Sequence, residues 1–234
     1  NVMKKILVSD SIDKNCISIL QDYGYMVTYK PGLSADQIAV EIGGYNALIV
    51  RSETKVNADL IAKMNEMEII GRAGTGVDNI DVETATRRGI IVMNTPGGNT
   101  ISAAEHTMAL MLSMCRNIPQ ANISVREAKW ERKKYQGTEL FDKSLGVIGL
   151  GKIGREVAVR SKSFGMKVIG YDPLLSEEAA SKLGIELTDL DSLFARSDLI
   201  TLHVPLSAET KYLISTATLN KCKDGVKILN CARG

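Results

Sequence analysis

The clearest chemistry in this 234-residue chain is a run of glycines just past its middle. Gly149-Leu-Gly151-Lys-Ile-Gly154 is a GxGxxG pattern. Alone the pattern is weak, and a glycine-rich turn that binds nothing would read the same. Here it follows an apolar β-rich run and opens a helical one. Asp172 lies 18 positions after Gly154, at the end of the next apolar run. That combination is the dinucleotide-binding fingerprint. Gly149 permits a tight turn, Gly151 lets backbone approach a pyrophosphate, and Gly154 lets the helix lie close to the sheet. The helix N-terminus then offers unpaired N–H groups and partial positive charge to the phosphates. A carboxylate at Asp172 accepts bonds from ribose hydroxyls and repels a 2′-phosphate. Pro173 follows it and no Arg is there to receive that phosphate, so NAD is expected over NADP. The alternative for Asp172 is a helix N-cap.

Three arginines add an anion-binding theme. Arg51, Arg72 and Arg233 each follow an expected strand, and carboxyl ends of strands are where open α/β sheets hold ligands. A guanidinium is a planar fork suited to carboxylate and phosphate. If two domains open toward one cleft, the three converge on a small anion. Oxidising an alcohol by hydride transfer also needs a base for the hydroxyl proton. Of the two histidines, His106 lies in an apolar helical run and is expected to be packed. His203, in Leu-His-Val-Pro-Leu206, ends a strand and is expected to line or support the site rather than act as base.

The elements that must position these groups alternate along the chain. Strands are expected at 6–8, 25–29, 47–50, 67–71 and 90–93, with a helix at 12–20 between the first two. Ser34-Ala-Asp-Gln37 is a capping box that opens a helix burying Ile38 and Ile42, and Asn57 caps the next. Thr95-Pro-Gly-Gly-Asn99 interrupts the pattern as a linker. Ser102-Ala-Ala-Glu105 is a second capping box, and the run to Cys115 is apolar nearly all round, as in a helix buried between layers or subunits. Trp130-Glu-Arg-Lys-Lys134 is a solvated charged loop. A second alternation places strands at 145–149, 167–171, 199–202 and 226–230, with helices at 153–163 and 177–183. Strand–helix alternation implies parallel sheets. The chain therefore divides into two doubly wound α/β domains, residues 1–96 and 97–234.

Composition excludes other classes. The chain is 44% hydrophobic and 24% charged, as folded globular proteins are. A net charge of +2 and 5% aromatic residues give no nucleic-acid surface and no base-stacking platform. Cys16, Cys115, Cys222 and Cys231 form no CxxC pair, so no metal site is expected, and their apolar surroundings suggest reduced core cysteines. No apolar run approaches the length of a membrane span or signal peptide. A cytoplasmic protein is expected.

The motifs Val-Arg51-Ser, Gly71-Arg-Ala-Gly-Thr-Gly-Val-Asp78-Asn-Ile-Asp, Asn94-Thr-Pro, Trp130-Glu-Arg-Lys-Lys, Gly137-Thr-Glu-Leu, Gly149-Leu-Gly-Lys-Ile-Gly-Arg-Glu and Asn230-Cys-Ala-Arg233-Gly together resemble the D-isomer-specific 2-hydroxyacid dehydrogenases. The match runs from Lys5 to Gly234, and the 71–81 and 130–140 segments point to the branch that acts on phosphoglycerate. The resemblance implies a flavodoxin-like substrate domain followed by an NAD-binding Rossmann domain. It implies NAD-dependent oxidation of 3-phospho-D-glycerate to 3-phosphohydroxypyruvate, the first step of L-serine synthesis, by a homodimer or homotetramer. Thr75, Lys152, Ile153, Asp172, Val204, Cys231 and Ala232 would line the cofactor beside Gly149, Gly151 and Gly154. Arg233 would be catalytic, clamping the substrate carboxylate and polarising the C2 oxygen. Arg51, Arg72 and the backbone around Gly74 would hold the anionic ends. Val204 departs from the Thr that some relatives carry.

The family's catalytic Glu and His lie downstream of the Asn-Cys-Ala-Arg-Gly motif, so the resemblance also implies a chain truncated at its C-terminus. Such a chain is expected to bind NAD weakly, to turn over no phosphoglycerate, and to leave apolar sheet and helix surface uncovered. Two other functions carry the same fingerprint: a dehydrogenase for glyoxylate, hydroxypyruvate or lactate, and an NAD-sensing corepressor-like protein.

Overall fold

A computed structural model describes residues 3–232. The chain divides into two compact units, Asn1–Asn99 and Thr100–Gly234.

The first unit is a five-stranded, wholly parallel sheet. Its strands are β1 (Lys5–Val8), β2 (Met26–Tyr29), β3 (Ala47–Val50), β4 (Ile69–Arg72) and β5 (Ile91–Asn94), in the order β2-β1-β3-β4-β5. This is the flavodoxin-like order. The helices are α1 (Lys14–Asp22), α2 (Ala35–Glu41), α3 (Ala58–Ala62) and α4 (Val82–Arg87). Each begins where a side chain takes up an N–H that has no intrahelical partner. Asp13, Asn57 and Asp81 accept from Asn15, Leu60 and Thr84. Ser34 and Gln37 form the expected reciprocal box.

Alternation along the strands sends Leu48 and Val50 to one face, where Ile38, Ile42, Leu60, Ile61, Met64 and Ile70 complete the core. No residue of α1 is buried, and Ile91 and Met93 of β5 are 58% and 55% exposed. Arg88 closes this core from outside, donating to the carbonyls of Ile61 and Met64 at the end of α3 (the Met64 bond is 3.3 Å).

The second unit opens with α5 (Thr100–Arg116) and α6 (Ile118–Arg126). Its sheet contains β6 (Ser144–Ile148), β7 (Lys167–Tyr171), β8 (Glu186–Leu187), β9 (Leu199–Leu202) and β10 (Lys227–Asn230), in the order β10-β9-β6-β7-β8, again all parallel. The helices α7 (Lys152–Ser163), α8 (Glu177–Lys182), α9 (Leu190–Arg196) and α10 (Thr216–Leu219) complete it. Leu145 and Val147 meet α5 and α7 on one face through Ala104, Met108, Met111, Val157 and Ala158. Ile148, Ile200 and Leu202 meet Leu193 and Phe194 of α9 on the other. Burial on both faces explains why these strands read as continuous apolar runs.

Several local expectations need correction. The helix expected to be capped at Ser102 begins at Thr100, so Ser102 lies in its first turn. The turn residues 96–99 already deliver the chain into helical geometry. This helix is not buried all round: Ala104, Thr107, Met108, Met111 and Cys115 form a buried stripe, while Ile101 and Leu110 are exposed. His106 falls on the exposed side rather than being packed. Of the four cysteines only Cys115 is buried, and Cys16 is exposed. Among the described residues no helix is long and apolar enough to cross a membrane. No group of three His, Cys, Asp or Glu side chains there could hold a metal ion.

Candidate functional site

In the second unit the polypeptide leaves β6 for α7 through the glycine run. This lies at the point where the strand order reverses, between β6 and β9, which is the ligand crevice of doubly wound sheets. Gly149 has φ +90°, and a side chain there would press within 2.7–2.8 Å of the His203 carbonyl and the Val204 side chain. A Cβ on Gly154 would overlap the Gly149 carbonyl oxygen. The turn and the close helix–strand contact therefore both require glycine. Gly151 differs, because nothing lies within 4 Å of the place a Cβ would occupy. Open space at that position is what an approaching phosphate needs.

Gly151 is the N-cap of α7 and supplies no side-chain bond, and no acidic residue sits in the first turn. The N-terminus of this 12-residue helix thus keeps its positive end uncompensated, with exposed Lys152 beside it. A cavity of about 440 Å³ at this end is lined by Thr100, Gly151, Lys152, Arg155 and Glu156. Arg155 is turned back, donating from Nε to the Leu150 carbonyl at 2.7 Å. Ile153 is half-buried against the core.

Asp172 follows β7 directly and does not cap a helix, since α8 is capped by Ser176. Its Oδ2 accepts from the Leu150 N–H at 2.8 Å and its Oδ1 from the Leu174 N–H at 2.9 Å. Each oxygen keeps a second lone pair for a ligand hydroxyl.

His203 follows β9. Its N–H donates to the Ile148 carbonyl at 2.8 Å, and Nε2 lies 3.0 Å from the buried Thr201 hydroxyl. Burial pushes its pKa down to about 4, so the ring is neutral and weakly basic at neutral pH. A second cavity, of about 400 Å³, is lined by Leu202, Leu206, Thr210, Tyr212, Leu213 and Asn230. Val204 packs against the α9-side core. Cys231 and Ala232 follow β10 half-buried, and Ala232 donates to Asn230 Oδ1 at 2.9 Å. Arg233 lies outside the described residues.

In the first unit Arg51 and Arg72 stand at the carboxyl ends of β3 and β4. Arg51 is exposed, with one guanidinium bond of 3.4 Å to the Ser11 carbonyl. Arg72 lies over Gly74 so closely that a Cβ on Gly74 would overlap its guanidinium. The Arg72 Nε is buried without a partner. Thr75 donates to Asn99 Oδ1 at 2.8 Å and accepts, through its carbonyl, from Asn94.

Sequence reading missed Asp10, a buried carboxylate beneath Arg51 that is bonded to the loop 51–54. Its signal was available: an acidic residue two positions after an apolar strand, where ligand-end loops begin.

Residues 108–234 match the family model described as D-isomer specific 2-hydroxyacid dehydrogenase, NAD binding domain. The chain belongs to the D-isomer specific 2-hydroxyacid dehydrogenases. Within that family it is 50% identical over 232 residues to D-3-phosphoglycerate dehydrogenase of Homo sapiens, covering 99% of this chain and 44% of the relative. It is 52% identical over 232 residues to the Synechocystis enzyme of the same name, covering 99% of this chain and 42% of the relative. The chain thus spans less than half the length of these curated relatives. Among solved structures it resembles D-lactate dehydrogenase from Aquifex aeolicus complexed with NAD and lactic acid, with TM-score 0.86 and 29% identity over 99% of this chain and 69% of that one. The second unit carries the NAD-binding domain of this 2-hydroxyacid dehydrogenase family, and its glycine turn, free helix end and Asp172 fit that cofactor.

Proposed function

We propose that the chain forms the substrate-binding part (1–96) and the NAD-binding part (97–234) of an enzyme that oxidises 3-phospho-D-glycerate to 3-phosphohydroxypyruvate, the first step of L-serine synthesis. The observation that carries the reading is the Asp172 carboxylate bonded to the open glycine turn, in a chain half identical to D-3-phosphoglycerate dehydrogenases along nearly its whole length.

NAD bound at the turn supplies the hydride acceptor. The N–H groups at the start of α7 and the Lys152 ammonium receive its pyrophosphate, and Asp172 accepts its ribose hydroxyls. Val204, Ile153, Thr75, Cys231 and Ala232 line the cofactor. Val204 offers no hydroxyl, so this position contributes contact without a hydrogen bond. Arg233 clamps the substrate carboxylate and polarises the C2 oxygen. Arg51, Arg72 and the backbone at Gly74 hold the anionic ends of the substrate. Removing the hydroxyl proton needs a base. Neither histidine is assigned that role, since burial makes the His203 ring a weak base and His106 lies on the exposed side of α5.

The enzyme is proposed to work in the cytoplasm as a homodimer or homotetramer. Support for self-association comes from Ile118, Ile123 and Val125 of α6 and from Trp130, which is 77% exposed.

The test is a substrate panel. The polypeptide carrying this chain is assayed with 3-phospho-D-glycerate, D-lactate and D-glycerate, using NADH absorbance as readout. Preference for phosphoglycerate is expected. Preference for lactate or glycerate would make it another dehydrogenase of the family. NAD binding without turnover of any of the three would point to a sensor.

A further inference from the structure

The first sheet reverses its strand order between β1 and β3, and the loops leaving those two strands are joined by a buried carboxylate. Asp10, two residues past β1, is 1% exposed. Its Oδ2 accepts from the N–H of Arg51 at 2.6 Å and of Glu53 at 3.2 Å. Both oxygens accept from the Thr54 N–H, at 3.1 and 3.2 Å, and Oδ1 also takes the Thr54 hydroxyl. Ser9 Oγ lies 2.9 Å from that hydroxyl.

A second side chain reaches the same loop from the segment between β4 and α4. Asn79 donates from Nδ2 to the carbonyls of Arg51, at 2.9 Å, and of Thr54, at 2.7 Å. The Asn79 carbonyl in turn accepts from Val56 at 2.8 Å, where Val56 and Ile80 form a parallel bridge. With both Nδ2 protons in use, Asn79 Oδ1 is left buried without a partner.

Both backbone polar groups of Arg51 are therefore taken by side chains from two other segments, while its guanidinium is left exposed. A long flexible side chain meets an anion reproducibly only if its Cα is fixed. Two costs are borne to fix it, a buried carboxylate and an orphaned amide oxygen. We propose that Asp10 and Asn79 are positioning residues that hold the loop 51–54, and through it the Arg51 guanidinium, in the geometry that receives an anion. The inference rests on the reading of Arg51 as part of the substrate clamp.

The test is a set of mutant cycles on the polypeptide carrying this chain. Asp10→Asn and Asn79→Asp are each made alone and in an Arg51→Ala background. Thr54→Ser, which keeps the hydroxyl bond to Asp10, is compared with Thr54→Val, which loses it. Calorimetry gives the dissociation constants for 3-phospho-D-glycerate and NAD, and amide exchange reads the Arg51 N–H. The expected result is about a tenfold weaker phosphoglycerate affinity for each single variant, unchanged NAD affinity, and no further loss once Arg51 is Ala. Arg51 amide protection should fall about tenfold or more in Asp10→Asn, and Thr54→Ser should behave as wild type.

Equal losses with and without Arg51 would overturn the proposal, as would unchanged affinity in both variants. Asn79→Asp keeps the test decisive if Asp10→Asn fails to fold. If the wild-type protein bound no phosphoglycerate, the proposed substrate would fall instead. The same cycles with inorganic phosphate as probe would then decide whether the Arg51 contribution to anion binding depends on Asp10 and Asn79.

Discussion

The Asp172 carboxylate and the Leu150 N–H are 2.8 Å apart, so the residue that would choose the cofactor also holds the turn that would bind it. A change at Asp172 must act on both. Asp172→Ala removes a charge-assisted bond to the turn, the ribose acceptor and the repulsion of a 2′-phosphate together. NAD affinity should fall by about one to two orders of magnitude, since each charge-assisted bond is worth roughly 1.5–3 kcal/mol. NADP affinity should fall less, so the preference narrows. Calorimetry with both dinucleotides measures this, and an unchanged ratio would remove Asp172 from the discrimination.

Gly74 offers an indirect way to move Arg72. A Cβ at this position would overlap the Arg72 guanidinium, so Gly74→Ala must displace that side chain. It should weaken phosphoglycerate binding as Arg72→Ala does, by about 10- to 100-fold, and leave NAD binding intact. Parallel titrations of both ligands check it, and equal loss of NAD affinity would make Arg72 a structural residue.

The burial of His203 sets a pH dependence. Its pKa is lowered from 6.5 to about 4, so folding favours the neutral ring and the unfolded chain takes up the proton more readily. The stabilisation is complete above pH 6.5 and is lost as pH falls from 6.5 toward 4. The shift corresponds to roughly 3 kcal/mol across that window. Urea midpoints at pH 7.5 and 4.5 should differ for the wild-type chain and differ less for His203→Asn, where only carboxylates held low in the fold, such as Glu131 and Glu186, still add to the slope. An equal pH slope in the variant would place the acid sensitivity elsewhere.

Ala128 ends α6 with φ +59°, and the Lys129 N–H reaches back to the Ser124 carbonyl at 2.9 Å. This is a helix stop that glycine usually fills. Ala128→Gly relieves the left-handed strain but adds freedom to the unfolded chain, for a net gain of about 0.5–1 kcal/mol. A thermal melt should show the rise, and a lower midpoint would mean that the Ala128 methyl makes packing contacts worth more than the strain.

Elements with strong local signals were legible from sequence. β7 and β9 begin and end where their apolar runs do, and the Ser34 box starts α2 where its spacing says. The glycine turn was legible because each glycine answers a separate steric demand. The helices α4, α6 and α9 were missed for local reasons. α4 is short and rich in β-branched residues, α6 starts behind the left-handed Asn117 with Pro119 in its first turn, and α9 is only seven residues long. The caps of α4 and α9 did offer a signal, since Asp81 with Thr84 and Asp189 with Ser192 repeat one three-residue spacing. The Asp10 and Asn79 network was not legible, because its partners lie 25–44 positions apart and only the folded sheet joins them. His203 showed its place in sequence, but its neutral state depends on burial, which sequence does not display.

Among the described residues the two sheets exchange no strand. The five strands of the first all precede residue 95, and those of the second all follow residue 143. On a ribosome delivering the chain N-terminus first, β1 can find β3, and β4 can find β5, before any strand of the second sheet exists. Parallel pairing is slow because each contact must close a long loop first, and unpaired apolar strands aggregate while they wait. Partition into consecutive blocks shortens that wait, since the strands of the first sheet search only among one another.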